Sequence, residues 1–118
     1  MKEGIYMPIL TVDYANINYE EMSKEIGVKP KHMPMLIGSF VEESAPAIEA
    51  LSEAIVANDF TSIASHAHSI KGSAGNLHFN EIYEMTKEME LAAKSADASF
   101  QYDDYLQAVK QAISTIAI

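Results

Sequence analysis

The residues best suited to chemistry lie in one run, Ser65 to Asn80, which reads SHAHSIKGSAGNLHFN. Within it His68, Lys71, Gly72 and Gly75 follow one another closely. A neutral imidazole is a nucleophile near neutral pH. A phosphoryl group placed on it would bring negative charge, which a neighbouring ammonium stabilises. The run also reads as helix, where each interior glycine costs about 1 kcal/mol relative to alanine. Two glycines beside a histidine and a lysine therefore need a reason other than helix stability.

Helical geometry supplies one. Ile63, Ala67, Ile70, Ala74 and Leu77 recur at alternating spacings of four and three, as an apolar stripe. With Ile63 as zero and a step of about 100° per residue, the stripe stays within about 40° of the core direction. His66 falls about 60° to one side, at the edge of the core, and His68 falls at about 140°, facing water. Lys71, Gly75 and Gly72 fall at about 80°, 120° and 180° on the flank of His68. Small residues Ala64 and Ser65 precede it by one turn. The glycines are thus expected outside the core seam, clearing a flat surface around one exposed imidazole. Such a nucleophile has no pocket of its own, so a partner must bring the rest of the active site. Ala64, Ser65 and Gly75 are expected to meet that partner.

The elements that position this helix follow from caps and stripes. Asn18 with Glu21 forms a capping-box pattern that opens a short helix ending near Ile26, closed by Gly27 and Pro30. Pro34 suits the first turn of a long helix with stripe Ile37, Phe40, Val41, Ile48, Leu51 and Ile55, ending near Ala57. Pro46 lies inside it and should kink or split it, and one long, kinked helix is the expectation. Asp59 caps the helix that carries His68. Asn80 is expected to cap a fourth helix with stripe Ile82, Met85, Met89, Ala92 and Ala96. Ser99 is expected to cap a fifth with stripe Tyr102, Leu106, Val109, Ile113 and Ile116. Short connections make neighbouring helices antiparallel. The fold class is therefore all-α: an up-down four-helix bundle over about 34–117, with a short extra helix over about 18–26, in one domain over 1–118.

Composition narrows the function. The chain has 118 residues, enough for one core, and no cysteine, which excludes disulfides and thiol chemistry. Seventeen acidic against eight basic residues give a net charge of −9, with no basic stripe, which argues against nucleic-acid binding. No apolar run is long enough to span a membrane, and the start, MKEGIYMPILTV, is too broken to be a signal peptide. A cytoplasmic chain is expected, and Met1 with the compact length favours a free-standing one.

The run Ala67 to Leu77, AHSIKGSAGNL, resembles the core of the histidine-containing phosphotransfer (HPt) domains of two-component phosphorelays. Their H-x-x-K-G pattern falls on His68, Lys71 and Gly72. Phe40, Leu51, Ala54 and the Asn58–Asp59 turn sit where the family has its long helix and turn. Ile82, Met85, Met89 and Glu90 resemble its next helix, with an apolar-plus-Glu ending. The resemblance spans Met35 to about Ile116; one departure is His78, where many members have glycine. It implies that His68 accepts a phosphoryl group, through Nε2, from the aspartyl phosphate of a receiver domain and passes it to another receiver. Lys71 would support the phosphoryl oxygens, and Gly72 would leave steric clearance. Response-regulator receivers and a hybrid histidine kinase are the implied partners, and the chain is expected to be a monomer. No cofactor is implied, since magnesium belongs to the receiver, and no kinase or ATP-binding activity of its own.

Plainer readings cover the other residues. His66 suits a hydrogen-bonded bundle edge, His32 a loop or cap, and His78 a helix end. Met33, Met85 and Met89 suit the core. The Glu20–Glu21, Glu42–Glu43 and Asp103–Asp104 pairs suit solvated faces. A di-iron bundle would need Glu-x-x-His pairs, which do not occur, and His66 and His68 stand about 200° apart and cannot share an ion. A receiver-binding adaptor that no longer transfers phosphate is the remaining alternative, against which the intact His68–Lys71–Gly72 set argues.

Overall fold

The computed structural model describes residues 7–116, which are helical apart from an extended N-terminal segment and short connections, with no strand among them. What the sequence predicts for the first six residues and the last two, the ends of the single domain among them, lies outside the described residues. Helix α1 spans Tyr19–Ile26, and after a 3-10 turn at Pro30–His32 come α2 (Met33–Val56), α3 (Phe60–Asn76), α4 (Asn80–Lys94) and α5 (Tyr102–Ser114). Helix α2 packs on α3, α3 on α4, α4 on α5 and α5 on α2, closing a four-helix ring. Helix α1 stands outside it, as the sequence predicts.

Local chemistry accounts for most boundaries. The Asn18 side chain accepts the Glu21 N–H at 3.0 Å, and Gly27 closes α1 with φ of 79°. The Asp59 carboxylate accepts both the backbone N–H and the hydroxyl of Ser62, which opens α3. Helix α2 runs unbroken through Pro46 rather than splitting there. Pro46 and Glu42 are both exposed, so the carbonyl that loses its donor lies on the solvent side.

Two expected caps do not form. Asn80 is the first residue of α4 and Phe79 takes the cap position, with no side-chain hydrogen bond. Ser99 bonds Asp97 instead, and Gln101 precedes α5. In both cases the preceding connection uses backbone bonds. Helices α2, α3 and α4 all end in Schellman motifs. Asp59 N–H bonds Ala54 C=O, Phe79 N–H bonds Ala74 C=O, and Asp97 N–H bonds Ala92 C=O. Each motif puts a left-handed residue after the cap, and none is glycine: Asn58, His78 and Ala96 have φ of 54°, 60° and 52°. The His78 position, where the resemblance expects glycine, is thus one whose backbone favours glycine. His78 also places its Nδ1 at 3.3 Å from Glu25 of α1.

The core shifts from the expected stripes in α2 and α4. In α2 Ile37, Phe40 and Leu51 are buried with Met33, Ser44 and Ala54, while Val41, Ile48 and Ile55 are half-buried. In α4 the stripe turns to Ala93, Ala92 is half-buried, and Ala96 lies exposed beyond the helix end. Helix α5 buries Tyr105, Ala108 and Ala112 besides the predicted Tyr102, Leu106 and Val109; Ile113 is half-buried. Phe79 is fully buried, its ring centroid 5.1 Å from that of Phe40 and 4.8 Å from that of Tyr14. Tyr14 belongs to the N-terminal segment, which is strapped across the bundle. Its hydroxyl donates to Glu81 at 2.7 Å, and its N–H donates to Thr115 Oγ1 at 2.9 Å.

The left-handed Ala96 yields a prediction. An L-residue there costs about 1 kcal/mol relative to glycine. Ala96→Gly is expected to raise unfolding free energy by about that amount in urea titrations. His78→Gly should gain less, because it gives up the contact with Glu25.

Candidate functional site

The site is assembled at the seam between α3 and α4. These helices run antiparallel, as two cross-contacts show: His68 meets Glu90, and Gly75 meets Tyr83. The apolar stripe of α3 (Ile63, Ala67, Ile70, Ala74, Leu77) is buried as predicted. That rotation leaves the His68 side chain 66% exposed beside the seam.

Glu90 is the centre of the arrangement. Its side chain is 3% exposed, yet three donors converge on it. Lys71 Nζ lies 2.7 Å from Oε1, while Lys94 Nζ and His68 Nδ1 lie 3.0 Å and 2.9 Å from Oε2. Burial pushes the carboxyl up, but the bonds from Lys71, Lys94 and His68 outweigh it and hold Glu90 at about 2. The same pairing raises Lys71, against an opposing effect of desolvation. Glu90 is therefore ionised at neutral pH and can only accept hydrogen bonds. His68 Nδ1 must then carry a hydrogen and donate it. In the neutral ring this leaves the lone pair on Nε2, the nitrogen that Glu90 does not hold.

The other predicted residues divide. Gly72 is exposed, and a Cβ built there meets nothing within 4 Å, so its surface is open. Ser65 is exposed. Ala64 is buried in the core, 9% exposed, and so presents little surface to a partner. Gly75 is half-buried, and a Cβ there would stand 3.1 Å from Tyr83 Cδ1. The expectation that both glycines lie outside the packing thus fails for Gly75. The reason is that α4 covers the Lys71–Gly75 flank of α3, which an angle measured from one stripe does not reveal. Lys71 is only 22% exposed and bonded to Glu90, rather than standing free at the rim.

Sequence reasoning noted Glu90 only as part of the resemblance, with no role at the site, and it missed Lys94 and Tyr83. The available signal was an acidic residue set between Met89 and the small Ala92–Ala93 pair, with a lysine four positions on. His66 is half-buried at the helix edge, and His32 is exposed where α2 begins. Met33, Met85 and Met89 are fully buried, and the three acidic pairs are exposed. Among the described residues no cluster of three His, Asp or Glu side chains could hold a metal ion.

A family model described as the Hpt domain matches residues 35–116 of the chain. The chain belongs to the Hpt family. No curated protein matches the chain, and no solved structure does. The matched span opens inside α2 and takes in α3, α4 and α5, so it contains His68, Glu90 and both lysines. The strap and α1 precede it. With the Hpt domain comes a general role in histidine phosphotransfer within phosphorelays, and interaction with receiver domains.

Two predictions test this geometry. The unfolded chain protonates Glu90 near the ordinary value of 4.5, whereas the folded chain resists protonation down to about 2. Stability from this group is present above that window and is lost as pH falls through it. Between about pH 5 and pH 2 the native protein should lose up to about 3 kcal/mol more than Glu90→Gln in urea titrations. Screening at the exposed Lys94 and His68 keeps the loss below that ceiling. The glycines should separate cleanly. Gly72→Ala is expected to stabilise the fold by about 1 kcal/mol, whereas Gly75→Leu should cost about 1–3 kcal/mol. Adding Tyr83→Ala should recover part of the Gly75→Leu loss.

Proposed function

We propose that His68 is the phosphoacceptor of a phosphorelay. It takes a phosphoryl group from the aspartyl phosphate of one response-regulator receiver domain and passes it to an aspartate of another. The observation that supports this reading best is the bond from exposed His68, through Nδ1, to the buried Glu90 carboxylate. It fixes the tautomer and aims the nucleophilic nitrogen outward.

The chemistry balances without an external acid or base. The Nε2 lone pair attacks phosphorus, and the P–O bond to the donor aspartate breaks, its electrons staying on the leaving carboxylate. The ring becomes positively charged and keeps its Nδ1 proton, now donated to an anion that stabilises the new charge. Onward transfer reverses the roles. A second aspartate attacks phosphorus, the P–N bond breaks, and the electron pair returns to Nε2. Glu90 acts here as a positioning residue. Lys71 stabilises the phosphoryl charge and also steadies Glu90, and Gly72 gives the receiver its approach. Magnesium would sit on the receiver. A hybrid histidine kinase is the proposed upstream source, and the chain would act as a cytoplasmic monomer, one His68 face serving each receiver in turn. No described helix is long and apolar enough to cross a membrane.

The test is a transfer assay with radiolabelled phospho-receivers from the same organism, run beside His68→Gln. Acid-labile, base-stable label on the native chain alone is the expected result. Label on His68→Gln would move the site elsewhere. Receiver binding without label, in a folded protein, would replace the relay with the adaptor reading.

A further inference from the structure

The donors on Glu90 are not equivalent. Lys71 holds Oε1 alone, at 2.7 Å, from the helix that carries His68. Lys94 shares Oε2 with His68 Nδ1, at 3.0 Å, and its side chain is 61% exposed. It comes from α4, one turn beyond Glu90, on a flexible four-carbon stem. With a neutral imidazole the cluster carries two ammonium charges against one carboxylate. It therefore holds surplus positive charge beside an exposed nucleophile, in a chain whose net charge is −9.

A phosphoryl group on Nε2 would add a charge of about −1.5 to −2. The ring would become cationic at the same time, and its Nδ1–H would bind Oε2 more strongly. Lys94 would then compete for an oxygen that a stronger donor occupies, while a richer anion stands on the far side of the same ring. Lys71 meets no such competitor on Oε1.

We propose that Lys94 is a second phosphoryl-binding cation: when His68 is phosphorylated it leaves Glu90 and pairs with the phosphoryl oxygens, while Lys71 stays on Glu90. This rests on His68 being the phosphoacceptor. Lys71 then acts on the phosphoryl charge from its fixed place on Glu90, which it also steadies, whereas Lys94 follows the phosphoryl group and pairs with it directly.

The test uses phosphoramidate, so that no receiver is needed. Its P–N bond breaks and releases ammonia, protonated by water, as the new bond to Nε2 forms. The phosphoryl group of the product is titrated by phosphorus NMR. An ammonium beside it favours the dianion, so Lys94→Gln should raise its titration midpoint by about 0.2–0.7 pH unit. Lys94→Arg should restore the native midpoint, and Lys110→Gln, on the exposed side of α5, should leave it unchanged. In a Glu90→Gln background the effect of Lys94→Gln should persist, because the contact is with phosphate. An unchanged midpoint in Lys94→Gln, or an effect that vanishes without Glu90, would overturn the proposal and leave His68 as acceptor untouched. A native chain that takes no phosphoryl group on His68, from phosphoramidate or from phospho-receivers, would overturn both readings.

Discussion

A single buried carboxylate organises the candidate site of this protein. Glu90 lies in the α3–α4 seam, almost without solvent, and would be costly to ionise there alone. Lys71, Lys94 and His68 satisfy it together. Its ionisation in turn dictates the imidazole tautomer. The charge requirement of one residue on α4 thus sets the chemical state of another on α3. A neutral amide at this position could accept the same bond, but it would not offset the positive charge that the ring would acquire in the proposed transfer.

That dependence reaches back into the fold. His68 can meet Glu90 only if α3 and α4 run antiparallel in one register. The register is set where the chain turns, at Ala74–Phe79, by a Schellman motif with a left-handed residue at its corner. Phe79 locks the corner into the core between Phe40 and Tyr14. Gly75 then lets the Tyr83 ring lie directly on α3. A large side chain at Gly75 would push the helices apart near the turn and disturb the reach of Glu90 two helical turns away.

Much of this was legible in the sequence, and the limits have physical causes. Helix number and order followed from apolar periodicity, and the caps at Asn18 and Asp59 from local side-chain chemistry. The family resemblance found in Ala67–Leu77 agrees with the matched span. Local signals failed where backbone bonds replaced side chains, as at Asn80 and Ser99. They failed again where a second helix altered what counts as surface. Gly75 and Ala64 look open when α3 is drawn alone, but they are covered once α4 and the core are in place. Glu90 lies 22 residues from His68. A stripe calculation on one helix cannot pair positions that far apart, and burial of a glutamate runs against its composition-level expectation. Gly72 is exposed, as its angle on α3 predicts, because no neighbouring element covers that side of the helix.

The outward-facing Nε2 has a kinetic corollary. One ring, on one face, would offer one reactive atom, and a receiver seated there would cover it. In the proposed relay the donor must depart before the acceptor can dock, so the exchange is ping-pong by construction. The modified chain then exists as a free species between two encounters. The relay works only if that species survives the diffusional search for its next partner. Relative receiver abundance, rather than a second binding site, would then decide where the signal goes.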